Sequence, residues 1–220
     1  QQYTQSTEGN NIIIADDHTI IRAGLKQLIE GAHDMKICGE ASDGQKLIHE
    51  LKKNKYDVII IDISMPGRNG IEIIKQIRSS GDKTPILALS YYPEDQFAIR
   101  VLKAGACGYM NKDVEPQELV EAIYKVARGG TYVSSAIAEK LATSINMIQE
   151  LNPHETLTDR EYEVFLKIGG GKSVSDIADE LFLNVKTIST YRTRILEKMG
   201  LKNNAEITYY AIQNNLIEKI

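Results

Sequence analysis

The stretch Tyr56–Gly70, YDVIIIDISMPGRNG, decides the fold that we predict for this chain. Its residues 58–61 are all apolar, which is typical of a strand buried on both faces of a parallel sheet covered by helices. Asp62 follows this strand directly, at the edge where open α/β folds place their chemistry. Asp62 could instead simply cap the next turn, since aspartate is common in turns. The rest of the chain is needed to choose between these interpretations.

Strand and helix patterns alternate on both sides of this stretch. Five short apolar runs are each followed by a segment with helical periodicity. We predict strands at 12–15, 35–41, 57–61, 85–89 and 106–110, and helices at 19–30, 44–53, 71–78, 94–103 and 116–128. Five strand–helix repeats indicate an α/β fold with a doubly wound, five-stranded parallel sheet and right-handed crossovers. The flavodoxin-like strand order 2-1-3-4-5 is the natural choice.

From residue 157 onwards the pattern contains only helices. Thr158 with Glu161 forms a capping box at the start of the first helix, and Ser173 with Asp176 begins the second. A short helix, a tight turn and a longer helix have the lengths of a helix-turn-helix. The helices are predicted at 158–168, 174–181, 185–199 and 205–214.

This division predicts two folded domains. The first spans 11–130 and the second, a small all-α domain, spans 155–220; a partly helical linker at 131–154 joins them. The polar residues 1–10 are interpreted as a disordered tail or an expression remnant, because they have neither a basic segment nor an apolar segment of a targeting signal.

The composition is that of an ordinary soluble protein, with 42% hydrophobic and 25% charged residues. The net charge of −4 means that any nucleic-acid binding must depend on a local basic patch. Cys38 and Cys107 are expected to be reduced core residues. No run of about 18 apolar residues is present, so we expect no membrane contact and a cytoplasmic location.

Polar side chains stand at the ends of four predicted strands. Asp16 and Asp17 follow the first strand, Asp62 the third, Ser90 the fourth and Lys112 the fifth. Three clustered carboxylates are costly to ionise without a cation, and Mg²⁺ accepts carboxylate, water and phosphate oxygens. A phosphoryl group on Asp62 would need such a metal, an ammonium and a hydroxyl around it. This phosphoacceptor hypothesis is favoured over an unrelated acidic pair, a core serine and a solvated lysine.

These residues resemble the receiver domain of bacterial two-component response regulators. The matching motifs are Asp16-Asp17, Asp62 with Met65-Pro66 and Gly70, Ser90, and Lys112. The resemblance implies that Asp62 is phosphorylated and that Mg²⁺ is bound by Asp17, Asp62 and the backbone carbonyl of Ser64. It also implies that Asp16 is a supporting acid.

The resemblance further implies a conformational switch in this domain. Ser90 matches the switch hydroxyl, and Tyr109, three residues before Lys112, matches the switch aromatic. Tyr109 could instead be a half-buried core aromatic. Relatives often have proline after the lysine, where this chain has Asp113, and this departure does not affect the site.

Residues 155–218 resemble the LuxR-type helix-turn-helix of NarL/FixJ-class regulators. The matches include Leu157-Thr158, Arg160-Glu161, Glu163-Val164, Gly171, Ile177-Ala178, Leu181, Val185-Lys186-Thr187-Ile188, Arg194, Lys198 and Leu201. On a helical wheel of 185–199 the core-facing side is mostly apolar, and the opposite side is small, polar and partly basic. The residues that we expect to contact DNA are Lys186, Thr187, Ser189, Thr190, Thr193, Arg194 and Lys198. The alternative is a merely solvated helix face.

The two resemblances together imply a transcriptional response regulator and no enzyme. A sensor histidine kinase would donate the phosphoryl group, and dimers would bind paired half-sites on double-stranded DNA and act on RNA polymerase. The last helix, with Ile207, Tyr210 and Ala211, is a candidate dimer surface, although core packing explains much of it. The competing hypotheses are a regulator whose receiver only dimerises, and a flavodoxin-like phosphatase or transferase. The latter needs a second acid or base near Asp62 that its sequence context lacks.

Overall fold

The computed structural model describes residues 10–65, 67–146 and 152–217. The predicted tail, Pro66 of the Met-Pro motif and residues 147–151 of the predicted linker lie outside this description, except that Asn10 begins the first strand. Within the described part of the chain, no helix is both long and apolar enough to cross a membrane.

One parallel sheet of five strands forms the centre of the first unit. The strands are β1 (Asn10–Ala15), β2 (Met35–Ala41), β3 (Val58–Asp62), β4 (Ile86–Ser90) and β5 (Gly108–Asn111). Their order is β2-β1-β3-β4-β5, which confirms the predicted topology. Asp62 and Ser90, predicted to follow their strands, are instead the last residues of β3 and β4, because each still pairs with the neighbouring strand.

Helices cover both faces of this sheet. They are α1 (Thr19–Glu30), α2 (Gly44–Lys53), α3 (Gly70–Ser79), α4 (Glu94–Ala104) and α5 (Pro116–Ala127). The central strands are buried along their length, as the continuous apolar runs predicted. The edge strand β2 instead alternates between buried and exposed positions. For this reason the prediction for Cys38 is wrong: it is exposed, and Cys107 is only half-buried.

In its described residues, the second unit contains helices and turns but no strand. The chain divides into its two compact units between Glu139 and Lys140, inside a helix that runs from Ser135 to Asn146 (α6). After a 3₁₀ turn at Pro153–Thr156, four more helices follow: α7 (Asp159–Gly169), α8 (Val174–Glu180), α9 (Val185–Met199) and α10 (Asn204–Gln213).

The predicted capping box is present at the start of α7, and Ser173 with Asp176 forms another at the start of α8. The backbone N–H of Glu161 donates to Thr158 Oγ1 over 3.3 Å, and the backbone N–H of Thr158 donates to Glu161 Oε2 over 2.9 Å. Each side chain satisfies a backbone donor that the helix itself leaves unpaired. These two hydrogen bonds therefore fix the start of α7 at the end of the linker.

Gly70 allows α3 to begin tightly against the loop that follows Asp62. A Cβ atom at Gly70 would lie 2.4 Å from the Cα of Ile63 and 3.0 Å from the carbonyl oxygen of Asp62. The Gly70 N–H also donates to the Ile63 carbonyl over 3.1 Å. Since backbone atoms cannot yield as a flexible side chain can, only glycine fits here.

We expect Gly70→Ala to destabilise the protein by about 1–3 kcal/mol, because the added methyl group forces the loop after Asp62 to move. Gly24→Ala is the matched control: Gly24 is exposed in α1 with nothing near its Cβ position, so alanine should stabilise by about 0.5–1 kcal/mol. Urea unfolding followed by circular dichroism measures both. Equal effects of the two substitutions would contradict the close-approach argument.

Candidate functional site

A buried ion-pair cluster lies at the carboxyl edge of the sheet. Lys112 Nζ is 2.6 Å from Asp16 Oδ2 and 2.8 Å from Asp62 Oδ2. The side chains of all three residues are at most 3% exposed. The ends of β1, β3 and β5 therefore place these groups together, as their positions in the sequence predicted.

Burial and the excess of carboxylates shift the pKa values in this cluster. Burial is the main cause that raises the pKa of Asp62 above its usual value; Asp16 adds to this effect and Lys112 opposes it. Burial lowers the pKa of Lys112, but the Asp62 and Asp16 carboxylates outweigh this and raise it. The lysine therefore stays charged, and one ammonium faces more carboxylate charge than it can neutralise.

The residues present fit a divalent cation. Ligand atoms of Asp16, Asp17, His18 and Asp62 lie within 4.8 Å of one another. Asp17 Oδ1 is buried and accepts no hydrogen bond within the described residues; His18 Nδ1 lies 3.2 Å from it. Carboxylate oxygens held in this way suit Mg²⁺. The Ser64 N–H donates to Asp62 Oδ1 over 2.9 Å, which holds this loop residue beside the cluster.

His18 also lies in this cluster, although it was not among the residues predicted for the site. Its Nδ1 is 3.1 Å from Asp16 Oδ1, and its backbone N–H donates to the same oxygen over 2.8 Å. Its place directly after the two acids was the one available signal. A histidine next to a turn is common, so that signal alone did not distinguish it.

The side chains of Ser90 and Tyr109 both form hydrogen bonds with the backbone of Tyr92. Ser90 is fully buried, and its Oγ accepts a hydrogen bond from the Tyr92 N–H over 2.9 Å. The Tyr109 hydroxyl donates to the Tyr92 carbonyl over 2.7 Å. Tyr109 is only 2% exposed, and burial raises the pKa of its hydroxyl. The Tyr92 backbone therefore connects Ser90 to Tyr109 through two hydrogen bonds.

In the second unit, α9 has one buried and one exposed face, as the helical wheel predicted. Ile188, Ile195 and Met199 are buried. Thr187 is half-buried, and the other residues of the predicted contact set, including Lys198, are exposed: Lys186, Ser189, Thr190, Thr193 and Arg194.

Two of the basic residues on α9 are engaged within the fold. Lys198 Nζ lies 2.6 Å from Oε2 of the buried Glu161, and Arg192 Nε donates to Asn204 Oδ1 over 2.6 Å. Although burial opposes it, the hydrogen bonds from Lys198 and Thr158 hold the pKa of Glu161 below its usual value. Lys198 therefore anchors the end of α9 to the start of α7.

Comparison with known proteins identifies the family. Residues 12–124 match the response regulator receiver domain, and residues 155–211 match the bacterial regulatory proteins of the luxR family. The chain therefore belongs to the two-component response regulators of the NarL/FixJ class, which are phosphorylation-controlled transcription regulators.

Curated relatives match along nearly the whole chain. It is 35% identical to response regulator UvrY of Escherichia coli strain K12 over 207 residues, 94% of this chain and 95% of that protein. It is 33% identical to response regulator GacA of Pseudomonas viridiflava over 208 residues, 94% of this chain and 97% of that protein.

A solved structure of RcsB from Salmonella enterica serovar Typhimurium, bound to promoter rprA in the presence of phosphomimetic BeF₃⁻, is also similar. It has a TM-score of 0.64 and 29% identity, and the match covers 92% of this chain and 98% of that one. A structure of an RcsB–DNA complex matches with a TM-score of 0.57 and 28% identity, over 92% of this chain and 97% of the other.

We expect Asp62→Asn to raise the free energy of unfolding of the metal-free protein at pH 7 by about 1–2 kcal/mol. Because the pKa of Asp62 is raised in the folded state, the native protein holds this proton more tightly than the unfolded chain, whose carboxyl has a value near 3.8. Ionisation therefore costs native stability; the cost is complete above the folded pKa and absent below the unfolded pKa. The benefit of asparagine should disappear as the pH falls below about 4.

Thermal unfolding in a chelator and in Mg²⁺, at neutral and acidic pH, measures this effect. Mg²⁺ should stabilise the wild type more than Asp62→Asn, because the cation offsets the same charge. The exposed Asp113, directly after Lys112, supplies the control Asp113→Asn, which should show neither effect. A metal-free Asp62→Asn protein that melts below the wild type at pH 7 would contradict the prediction.

Proposed function

We propose that Asp62 accepts a phosphoryl group from a phosphohistidine of a sensor kinase and thereby controls DNA binding by α9. The observation that carries the proposal is the Lys112 ammonium 2.8 Å from the Asp62 carboxylate in a buried site. An ammonium held there stabilises negative charge that develops on a transferred phosphoryl group. Its removal from water strengthens that interaction.

In the proposed reaction an Asp62 oxygen attacks the phosphorus atom. A new P–O bond forms, the P–N bond of the phosphohistidine breaks, and the leaving imidazole takes a proton. Mg²⁺, when bound by Asp17, Asp62 and the Ser64 carbonyl with Asp16 in support, would offset charge on the phosphoryl oxygens. Lys112 orients a second phosphoryl oxygen, and its pairing with Asp16 keeps it in place.

The proposed switch involves Ser90 and Tyr109. When the Ser90 hydroxyl turns to a phosphoryl oxygen, it gives up its bond with the Tyr92 N–H. Tyr92 also accepts the Tyr109 hydroxyl, and its ring stacks on Phe97 with 4.6 Å between centroids. The change therefore spreads over the surface formed by β4, α4 and β5. Such a two-state element is biased by the added charge and its new hydrogen bonds.

For DNA recognition we propose that α9 lies in the major groove. Base contacts are assigned to Lys186, Thr190 and Thr193, a geometry supported by their exposure on one face. Thr187, Ser189, Arg194 and Lys198 complete the proposed contact set. Homodimers would bind paired half-sites and contact RNA polymerase. Ile207 and Ala211 of α10 are fully buried within their own unit, so of the residues predicted for a dimer surface only Tyr210 is partly exposed. The proposed domains are 11–130 and 155–220, joined by 131–154, in a cytoplasmic protein.

We expect phosphoramidate to phosphorylate the wild type but not Asp62→Asn, and to raise DNA affinity only for the wild type. Coupling between a regulatory site and a binding site typically changes affinity by about 5- to 150-fold. The DNA probe is a fragment recovered by selection with the phosphorylated protein, and footprinting with and without phosphodonor measures the change. Asp113→Asn is again the control and should respond like the wild type.

Two results would instead favour the competing functions. Equal DNA affinity with and without phosphodonor would indicate a regulator whose receiver domain only dimerises. Turnover of a small phosphoester beyond one equivalent would indicate a phosphatase or transferase.

Basic residues on α9 should differ in their contribution to the salt dependence of DNA binding. Arg194→Ala should reduce the slope of log affinity against log salt by about 1, because an exposed arginine that contacts a phosphate displaces one counterion. Lys198→Met should change the slope less, since its ammonium is already paired with Glu161, but should lower thermal stability. Affinity titrations over a range of salt concentrations, with melting curves, measure both. A larger slope change for Lys198→Met would reverse this assignment.

A further inference from the structure

A large aromatic residue stands at the mouth of the phosphorylation site and has no role in the function proposed above. Tyr91 follows Ser90 directly in the loop between β4 and α4. It is 54% exposed, and its ring lies against Lys112, with Nζ 5.1 Å from the ring centroid. A lysine within about 6 Å of an aromatic face is attracted to the ring.

The same ring also borders a small cavity whose walls are mostly apolar. Tyr91 lines a small cavity of about 80 Å³ together with Ile21 and Leu25 of α1, and with Val114 and Pro116 at the start of α5. Lys112 lies in the wall of the same cavity. The ring therefore borders both this cavity and the ammonium, beside the site.

The exposures of the two residues show which of them faces the solvent. The Lys112 side chain is 3% exposed, while Tyr91 is 54% exposed. Lys112 Nζ contacts Asp16 and Asp62 at 2.6 and 2.8 Å, and the Tyr91 ring lies against it as well. A phosphoryl group on Asp62 would be bound by the same ammonium, so the ring would be near it on the solvent side.

We infer that Tyr91 is a positioning residue that holds the Lys112 ammonium on the phosphoryl group and shields the acyl-phosphate bond from water. It thereby lengthens the lifetime of the phosphorylated state. This inference rests on the proposed function of Asp62. The opposed reaction is hydrolysis: a water oxygen bonds to phosphorus, the bond from phosphorus to the Asp62 oxygen breaks, and its electron pair returns to the carboxylate. The water proton passes to phosphate or solvent, so no further reactant is needed.

The test compares Tyr91→Ala and Tyr91→Phe with the wild type. Each full-length protein is phosphorylated with phosphoramidate in Mg²⁺, the donor is removed, and the remaining phosphoprotein is followed by phosphate-affinity electrophoresis. Tyr91→Ala should lose its phosphoryl group about two- to fivefold faster, the range expected for an exposed cation–aromatic contact. Tyr91→Phe, which keeps the ring face, should behave like the wild type.

Tyr124→Ala is the matched control, because Tyr124 also contacts a cation, with Arg128 5.7 Å from its ring centroid. It lies on α5 beside Asp34, which precedes β2, and so belongs to the opposite edge of the sheet. Its hydrolysis rate should equal that of the wild type. A general loss of packing would accelerate hydrolysis in both alanine variants and would overturn the inference.

The remaining outcomes separate this inference from the function on which it rests. Equal hydrolysis rates in wild type and Tyr91→Ala would overturn the role of Tyr91 alone. A phenylalanine variant as labile as the alanine variant would also overturn it, because the ring and not the hydroxyl is invoked. Failure of the wild type to accept any phosphoryl group would refute the proposed function itself. Should Tyr91→Ala not fold by circular dichroism, Tyr91→Gln, which lacks the ring but keeps a side chain of similar length, should show the same acceleration.

Discussion

The contact of the Lys112 ammonium with Asp16 and Asp62 is the interaction that links the chemistry of the first unit to its fold. It joins residues at the ends of β1, β3 and β5, so it exists only if all three strands run parallel in the right order. Removing a lysine and two carboxylates from water is costly, and their mutual attraction repays the cost only when the geometry is good. The sheet supplies that geometry, because the order of its strands brings the three side chains together.

The same cluster is electrostatically incomplete, and this incompleteness underlies the proposed function. Asp17 adds a further carboxylate beside the pair, so a single ammonium cannot balance the acids. Burial raises the pKa of Asp62, and the Asp16 carboxylate adds to this effect. Under the proposed function, added positive charge would reduce the repulsion between these carboxylates, and a phosphoryl group on Asp62 would rearrange their partners. Under the proposed function, stability and signalling are therefore linked. The charge imbalance lowers the free energy of unfolding, and it would also make the site respond to a cation or a phosphoryl group.

The sequence was sufficient for the fold and the main cluster because both follow from periodicity along the chain. The apolar run before Asp62 indicated a strand buried on both faces, and parallel strand ends must meet at one edge. Contacts between side chains on separate elements were not available from such patterns. The pairing of Lys198 with Glu161, for example, depends on how α9 packs against α7. The ring of Tyr91 over Lys112 likewise needed the fold first. The exposure of Cys38, by contrast, was open to prediction, because the predicted strand order already places β2 at an edge of the sheet.

Contacts within the second unit occupy some of its basic residues, which limits how many can contact DNA. Between residues 185 and 202 the chain has five basic residues and one acidic residue. Lys198 pairs with Glu161, and Arg192 donates a hydrogen bond to Asn204. The exposed Arg194 and Lys202 are then the residues best placed to meet phosphates, beside the base contact proposed for Lys186. Since each phosphate contact releases about one counterion, a single copy would gain little electrostatic affinity, and the whole chain carries a net charge of −4. Two copies on paired half-sites would double the number of contacts, so under the proposed function the occupancy of DNA would depend strongly on dimerisation.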